Sequence, residues 1–358
     1  MSENVARSTS EILKQATDWL KAAGIETPRN DAKLLLAEAF GVTPGDVEKS
    51  ILLDTPLHSS IKDVSTDGVD VQRINDGDGS ESESDQGPAA STSESDSACT
   101  KDVRKSQNAG SLGDADDAAI RRFAVMIARR KQREPLQYIV GHAPFRYLDL
   151  QVGPGVFIPR PETETVVQAA IDWLTHENIK PSRLVDLCAG SGAIGLALVT
   201  EVPGGEVWAV EQSEEALKWA KRNERRVFKD HSLAGYHYHL SCADATSEMT
   251  LSQLNGTVDA VVANPPYVPL SEVPEQPEVR DYDPQMALYG GSADGTYIPE
   301  RIILRAGKLL RSGGALVMEH DISQGQALVD FAKTHGFHSA RTGDDLTGRP
   351  RYLFAIKK

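Results

Sequence analysis

The stretch "RLVDLCAGSGAIGLALV", residues 183–199, decides the fold that we expect for this chain of 358 residues. "RLVDLC" is a short apolar run typical of a buried β-strand, and the apolar residues after the loop are typical of a buried helix. Gly190 and Gly192 lie between the two elements. Glycines at this place let backbone N–H groups approach a ligand closely at the start of a helix. The stretch therefore predicts a ligand-binding turn between a strand and a helix.

The residues that follow repeat this alternation of strand and helix. Further segments that read as strands are "GEVWAVE" (205–211), "YHYHLSC" (236–242), "VDAVVAN" (258–264), "GALVMEH" (314–320) and "RYLFAIKK" (351–358). Helical segments separate most of them, and this alternation predicts a largely parallel, doubly wound α/β sheet. Ligands bind such sheets beyond the carboxyl ends of the strands, so we expect the loops there to share one crevice.

The residues before the sheet predict a small helical domain. Ser10 is expected to cap a helix that Gly24 ends, and a second helix ends at Gly41. Thr43 as cap and Pro44 at the first helical position start a third helix. The segment "AAIRRFAVMIARRKQ" has apolar residues at helical spacing and predicts a fourth.

A β-hairpin is expected to connect the helical domain to the sheet. Residues 138–164 alternate apolar and polar side chains and contain several glycines. We therefore expect an N-terminal helical domain over residues 1–135, a hairpin linker over residues 136–165, and the α/β domain over residues 166–358.

Residues 62–117 differ in composition from the rest of the chain. They hold 14 Asp and Glu, 5 Lys and Arg, and no aromatic residue. Such a segment cannot bury enough apolar area to offset chain entropy, so we expect a disordered acidic insert within the helical domain. An acidic docking or phosphorylation segment and a tolerated loop expansion both stay open. Because much of the net charge of −14 lies here, that charge says little about the active site.

The composition argues against several classes of protein. The acidic balance is unlike the large basic surface that binds duplex nucleic acid. Cys99, Cys188 and Cys242 are scattered, which indicates reduced thiols and neither disulfides nor a metal site. Residues 1–25 lack the pattern of a signal peptide, and no uninterrupted apolar run reaches the roughly 18 residues of a membrane span. We expect a cytoplasmic protein.

The loop after the first predicted strand indicates the class of ligand. Its glycines fall at 190, 192 and 195, which is not the dinucleotide spacing G-x-G-x-x-G and favours a ligand that joins a nucleoside to an amino acid. A packing corner without a ligand is the alternative. Glu211 ends the second strand, where a carboxylate can accept hydrogen bonds from ribose hydroxyls. Asp244 follows the third strand and is either a partner of an adenine amino group or a helix cap.

The segment "NPPY", Asn264–Tyr267, ends a buried strand with a side-chain amide and two prolines. An amide nitrogen is a poor nucleophile, and to attack a sulfonium methyl group it must be held in line with the sulfur–carbon bond. The Asn264 side-chain oxygen and the Pro265 carbonyl can accept both hydrogens of such an NH₂ group. The prolines fix the backbone, and Tyr267 offers an aromatic surface to the planar group. Both acceptors bind more strongly as positive charge develops on the nitrogen.

Motifs along nearly the whole chain outside residues 62–117 resemble the PrmC/HemK family of protein-(glutamine-N5) methyltransferases. They are "REPLQYIVGHAPF" (133–145), "FIPRPETETVV" (157–167), "DLCAGSGAIGLAL" (186–198), "NPPYVP" (264–269), "EVRDYDPQMALYGG" (278–291), "GGALVMEHDISQG" (313–325) and "DLTGRPRYLFA" (345–355). The resemblance implies a Rossmann-like class I methyltransferase fold with a mostly parallel seven-stranded sheet, a small N-terminal helical bundle that recognises the substrate, and the hairpin linker. It also implies S-adenosylmethionine as cofactor and methylation of the GGQ-motif glutamine in peptide-chain release factors 1 and 2, by a chain that we expect to be a monomer.

The resemblance carries site residues over by position. The cofactor-binding positions fall on Asp186, Cys188, Ala189, Gly190, Ser191, Gly192, Glu211, Asp244, Ala245 and Asn264. The clamp for the glutamine amide falls on Asn264, Pro265, Pro266 and Tyr267. Arg160, beside Glu162 and Glu164, either orders the hairpin over the substrate or belongs to a structural network of salt bridges. The departures from the family include Cys188, where the family often has glycine, "EHD" (319–321) in place of Glu-Ile-Gly, a slightly long segment between Asp244 and Asn264, and the insert at residues 62–117.

Three alternatives stay open from the sequence. Methylation of a ribosomal-protein glutamine would use the same NPPY core. Adenine-N6 methylation of DNA uses a similar clamp, but it predicts a basic cleft and a target-recognition domain that we do not find. A binding module without activity would require a broken cofactor loop.

Overall fold

The structure is a computed structural model that describes residues 8–60, 112–231 and 237–358, without the side chains of residues 112–114. The chain divides into two compact units, Met1–Ala128 and Arg129–Lys358. The helices that begin in the first unit are α1 (Thr9–Ala22), α2 (Pro28–Phe40), α3 (Pro44–Leu52) and α4 (Leu112–Lys131). The division between the units falls within α4.

Capping residues fix where the first helices begin. The hydroxyl of Ser8 accepts from the backbone N–H of Glu11, whose carboxylate accepts from the backbone of Ser8 in return. The prediction of Ser10 as cap is therefore wrong, because this reciprocal capping box begins the helix two residues earlier. Thr43 caps α3 with Pro44 at its first position, which confirms that prediction.

The predicted acidic insert differs from the structure at its C-terminal end. Residues 112–117 belong to α4 and so do not belong to a disordered segment, whereas residues 62–111 lie outside the described residues. Asp116 accepts hydrogen bonds from the backbone N–H of Ser59 at 2.7 Å and pairs with the ring of His58 at 2.9 Å. Carboxylates near the start of a helix are also favoured by the helix dipole. These contacts explain why acidic residues can begin a helix here.

The second unit contains the sheet. Its helices are α5 (Leu136–Val140), α6 (Pro161–His176), α7 (Ala193–Glu201), α8 (Glu214–Asp230), α9 (Pro277–Tyr282), α10 (Gln285–Leu288), α11 (Tyr297–Leu309) and α12 (Gly325–Thr334), with 3₁₀ turns at Ser252–Leu254 and Ile322–Gln324. Its strands are β1 (His142–Phe145), β2 (Leu148–Gln151), β3 (Arg183–Leu187), β4 (Glu206–Glu211), β5 (Tyr238–Cys242), β6 (Val258–Ala263), β7 (Leu310–Glu319), β8 (Phe337–Asp344) and β9 (Pro350–Lys357).

Seven strands form one mixed sheet in the order β5-β4-β3-β6-β7-β9-β8. The first five run parallel, and β9 is antiparallel to both of its neighbours. This confirms the mostly parallel doubly wound sheet. The sequence analysis does not predict strand β8, because buried and exposed residues do not alternate regularly along it.

Both faces of the sheet are covered. Leu184 and Val185 are neighbours in β3, are fully buried, and enter two different hydrophobic cores. Successive side chains of a strand point to opposite faces, so a strand covered on both sides must be apolar at every position. This requirement explains the uninterrupted apolar runs in the sequence.

A separate two-stranded hairpin of β1 and β2 lies before the sheet strands. Arg146, at its turn, donates its backbone N–H to Glu164 in the first turn of α6 at 3.0 Å. The hairpin lies inside the predicted linker 136–165, and the three-part division of the chain stays a prediction. Among the helices that the structure describes, none combines the length and the apolar character that a bilayer span requires.

Candidate active site

The loops at the carboxyl ends of β3, β4, β5 and β6 surround a cavity of about 190 Å³. It includes side chains from the region before α6 and from the segment after Asn264. The predicted site residues that line it are Cys188, Ala189, Gly190, Ser191, Glu211, Asp244, Ala245, Asn264, Pro266 and Tyr267. In the described part of the chain, the predicted residues Asp186, Gly192, Pro265 and Arg160 do not line it. The expected shared crevice is therefore present.

The glycine loop after β3 follows a left-handed path. Cys188, Gly190 and Gly192 all have positive φ angles, of 69°, 56° and 85°. A non-glycine residue is strained in this region, so Cys188 is held there by the structure around it. A Cβ atom on Gly190 would meet nothing within 4 Å, so the backbone conformation explains the glycine and the space beside it stays open to a ligand.

Glu211 at the end of β4 is bound to this loop. One carboxylate oxygen accepts from the backbone N–H of Gly190 and the other from that of Ser213, both at 2.7 Å. Burial raises the pKa of Glu211, and these hydrogen bonds oppose the rise. The residue joins the loops after β3 and β4 and still borders the cavity.

Asp186 lies underneath the loop. Its side chain is fully buried, and one oxygen accepts from the backbone N–H of Gly195 at 2.8 Å. Burial raises its pKa to about 7, the Gly195 hydrogen bond opposes this, and the Glu211 carboxylate adds to it. Asp186 therefore supports the start of α7 and does not line the cavity.

Asp244 and Ala245 lie after β5. One oxygen of Asp244 accepts from both the backbone N–H and the hydroxyl of Thr246, at 2.8 and 2.7 Å. Asp244 is exposed and Ala245 is buried. The helix-cap alternative is wrong, because a turn and no helix follows Asp244. The residue stabilises this turn and borders the cavity, and its role as an adenine partner stays a prediction.

The NPPY segment leaves the sheet where β6 ends. The Asn264 side-chain nitrogen donates to the Thr163 hydroxyl at 3.2 Å, and the Tyr267 hydroxyl donates to Glu319 at 2.9 Å. Pro265 is buried, and no donor among the described residues reaches its carbonyl oxygen. The backbone N–H of Tyr267 donates to Leu288 at 3.0 Å, which attaches the segment to α10. Burial, and then Glu319, raise the pKa of Tyr267.

Glu319 at the end of β7 is a site residue that sequence reasoning missed. It is only 2% exposed and accepts from the Thr163 hydroxyl at 2.6 Å as well as from Tyr267. Burial raises its pKa, opposed by these two hydrogen bonds. The sequence offers two signals. Glu319 ends an apolar strand, and the two residues after it differ from the Glu-Ile-Gly that the family more often has. Neither identifies a partner 156 residues away.

Arg160 precedes α6 and forms an ion pair with Asp283 at 2.6 Å. The Asp283 side chain is fully buried, and burial raises its pKa to about 6 against the opposing effect of Arg160. The Arg160 guanidinium also lies over the Phe157 ring, 4.8 Å from its centre. Arg160 thus connects the segment before α6 to the segment between α9 and α10.

Sequence comparisons match both units. A family described as "PrmC N-terminal domain" matches residues 11–49 and 113–141, and one described as "Conserved hypothetical protein 95" matches residues 137–275. The release factor glutamine methyltransferase of Bifidobacterium longum is 52% identical over 347 residues, which cover 97% of this chain and 99% of that protein. The chain belongs to the release factor glutamine methyltransferase family.

Two further relatives have the same description. That of Streptomyces coelicolor is 47% identical and covers 68% of this chain and 83% of that protein. That of Mycolicibacterium smegmatis is 34% identical and covers 96% of each. The fold of the second unit is the class I methyltransferase fold of the family, with helices on both faces of the seven-stranded sheet. Among the described residues, no group of three potential metal ligands occurs.

Proposed function

We propose that this chain transfers a methyl group from S-adenosylmethionine to the side-chain amide nitrogen of the GGQ glutamine in peptide-chain release factors 1 and 2. The observation that carries the proposal is the position of Asn264. Its side chain lines the same cavity as the glycine loop and Glu211, so a bound amide and a cofactor would share one space. The relatives described above carry the corresponding name.

The residues of the cavity fit the cofactor. The backbone around Gly190 offers open space at a helix start, and Glu211 offers a carboxylate at the end of β4. These groups suit the amino-acid part and the ribose hydroxyls respectively. Ala245 and Ile194 add apolar surface for a flat base. S-adenosylmethionine supplies a methyl group bonded to a positively charged sulfur.

The role that we propose for the NPPY segment is to hold and align the amide. The Asn264 side-chain oxygen and the Pro265 carbonyl accept its two hydrogens, while Pro266 and Tyr267 form the wall against its plane. Among the described residues, no donor forms a hydrogen bond to the Asn264 side-chain oxygen or to the Pro265 carbonyl oxygen, which supports this role. Both bonds strengthen as the nitrogen gains positive charge, so they stabilise the transition state more than the bound substrate.

Further parts of the proposal concern partners and place. We propose that the helical domain, which we assign to residues 1–135, holds the body of the release factor, and that the chain acts as a monomer in the cytoplasm. The match of residues 11–49 and 113–141 to the N-terminal domain of the family supports the first part.

The test is a methylation assay with purified release factor and labelled S-adenosylmethionine, followed by mass spectrometry of the GGQ peptide. We expect a gain of one methyl group on the glutamine. A release factor with Gln replaced by Asn in that motif is the matched control and should remain unlabelled. Label on a ribosomal-protein glutamine, with none on the release factor, would assign the chain to the alternative substrate instead.

A further inference from the structure

An asparagine amide has two chemically opposite ends that differ little in shape. Its oxygen accepts hydrogen bonds, whereas its nitrogen donates two. A clamp on a glutamine NH₂ group works only if the oxygen of Asn264 faces the cavity, because the nitrogen would present hydrogens to hydrogens. Something in the protein must therefore fix the orientation of this amide.

The hydrogen bonds behind Asn264 supply that orientation. When Glu319 is ionised its oxygens can only accept, so the hydroxyl of Thr163 then gives its single hydrogen to Glu319 across the distance of 2.6 Å. The Thr163 oxygen can then only accept from its other neighbour. That neighbour is the Asn264 side chain at 3.2 Å, which must present its nitrogen. The oxygen of the amide is left for the cavity.

Glu319 also controls the other end of the NPPY segment. Its second oxygen accepts from the Tyr267 hydroxyl at 2.9 Å. Ala263 pairs with Met318 in the parallel ladder, so Asn264 and Glu319 leave the sheet side by side. A single buried carboxylate thus touches the groups that set both the amide and the aromatic wall.

We propose that Thr163 and Glu319 are positioning residues whose hydrogen bonds determine which atom of the Asn264 amide faces the substrate. The proposal rests on the proposed function, since it assumes that Asn264 accepts from an amide NH₂ group. Thr163 and Glu319 act through Asn264 and Tyr267, so they should influence the rate of transfer more than the binding of the cofactor.

The first experiment compares substitutions at Thr163 in the purified full chain. Thr163→Val keeps the shape of the side chain but removes the hydroxyl, and we expect kcat to fall about tenfold or more while the affinity for S-adenosylmethionine changes little. Thr163→Ser restores the hydroxyl and should recover most of the rate. Thr165→Val is the matched control, because that hydroxyl only bonds to the backbone of Glu162 in the same helix.

Equal kcat values in Thr163→Val and wild type would overturn the proposal. A loss that Thr163→Ser does not recover would also overturn it, since the hydroxyl would then not be the relevant group. The double variant Thr163→Val with Glu319→Gln should be little slower than the slower single variant, because both changes interrupt one chain of hydrogen bonds. If the two single-variant losses in kcat instead multiply, the two residues act separately, which would overturn the proposal that they act through one chain of hydrogen bonds.

A second measurement reads the amide without any reaction. The side-chain NH₂ of Asn264 gives a nitrogen-15 NMR signal that Asn264→Asp would assign by its disappearance. We expect its hydrogen exchange to be about fivefold faster or more in Thr163→Val than in wild type and Thr163→Ser. Unchanged exchange would refute the orientation. This result stands even if wild type fails to methylate release factors, so failure of the proposed function is distinguishable.

Discussion

Glu211 accepts a hydrogen bond from the backbone N–H of Gly190 at 2.7 Å and thereby connects the end of β4 to the glycine loop after the neighbouring strand β3. The carboxylate has a second bond to the backbone N–H of Ser213, so it organises two loops at once. Hydrogen bonds to a charged acceptor are stronger than neutral ones. A buried charge that is held in this way shapes the cavity before any ligand arrives.

We predict that Glu211→Gln weakens binding of S-adenosylmethionine by about 10- to 100-fold. A glutamine has one acceptor oxygen and no charge. One of the two backbone N–H groups, that of Gly190 or that of Ser213, would therefore lose its acceptor, and the other would lose a charged one. Titration calorimetry measures the affinity. Glu206→Gln at the opposite end of the same strand is the control and should bind as wild type does. Wild-type affinity in Glu211→Gln would remove this residue from the cofactor site.

We predict that Asn264→Ala leaves cofactor affinity within a fewfold of wild type and slows methyl transfer by about 10²-fold or more. The alanine cannot accept a hydrogen from the substrate amide, although the glycine loop is untouched. Single-turnover rates with saturating cofactor are the measurement. Ser271→Ala, which removes an exposed hydroxyl bonded to the Ala293 carbonyl, should transfer at the normal rate. Normal turnover in Asn264→Ala would contradict the clamp.

Much of the cavity lining can be predicted from local sequence because each part is a strand end with its following loop. The alternation of strands and helices places those ends at one edge of the sheet. Gly190, Glu211 and Asn264 could therefore be brought together without knowledge of their contacts. The family resemblance also assigns Asp186 to the cofactor site, but its side chain is fully buried, accepts from the backbone N–H of Gly195 and does not line the cavity.

We predict that Asp186→Asn changes how stability depends on pH. Burial raises the pKa of Asp186 to about 7 in the folded chain, against an ordinary value of 3.8. Between these values the folded state keeps a proton that the unfolded state has lost. The free energy of unfolding therefore falls as pH rises through this window. Above about pH 7 Asp186 causes no further fall.

Asparagine cannot titrate, so the variant should gain stability relative to wild type as pH rises from about 4 to about 7, by a few kcal/mol, and no further above that. Urea unfolding of both proteins at a series of pH values gives the difference directly. If the free energies of unfolding of wild type and Asp186→Asn differ by the same amount at every pH in this range, Asp186 keeps an ordinary pKa.

The contacts behind the NPPY segment could not be predicted, because they join residues that are distant in sequence. Thr163 meets Glu319 across 156 positions, and Arg160 meets Asp283 across 123. Only the packing of α6 against the ends of β6 and β7 brings the first pair together. Local patterns indicate burial and capping, and even a cap can be assigned to the wrong residue: the sequence predicts Ser10 as the cap of α1, whereas Ser8 caps it. Partner choice among buried polar groups is a tertiary property.

We predict that Arg160→Ala lowers the free energy of unfolding by about 3 kcal/mol at pH 8. The Asp283 side chain is fully buried and would become an uncompensated charge without its partner. Since the pKa of Asp283 is already raised to about 6, loss of Arg160 should raise it further, and the destabilisation should shrink towards pH 5 as Asp283 protonates.

The combination of Arg160→Ala with Asp283→Asn separates the structural role of Arg160 from a role in substrate binding. The neutral amide needs no cation, so the double variant should be more stable than Arg160→Ala alone. If the Arg160 guanidinium also binds the release factor, the double variant should have a KM for release factor several-fold higher than that of the single variant Asp283→Asn. Equal KM values, measured at saturating cofactor, would leave Arg160 with the salt bridge alone.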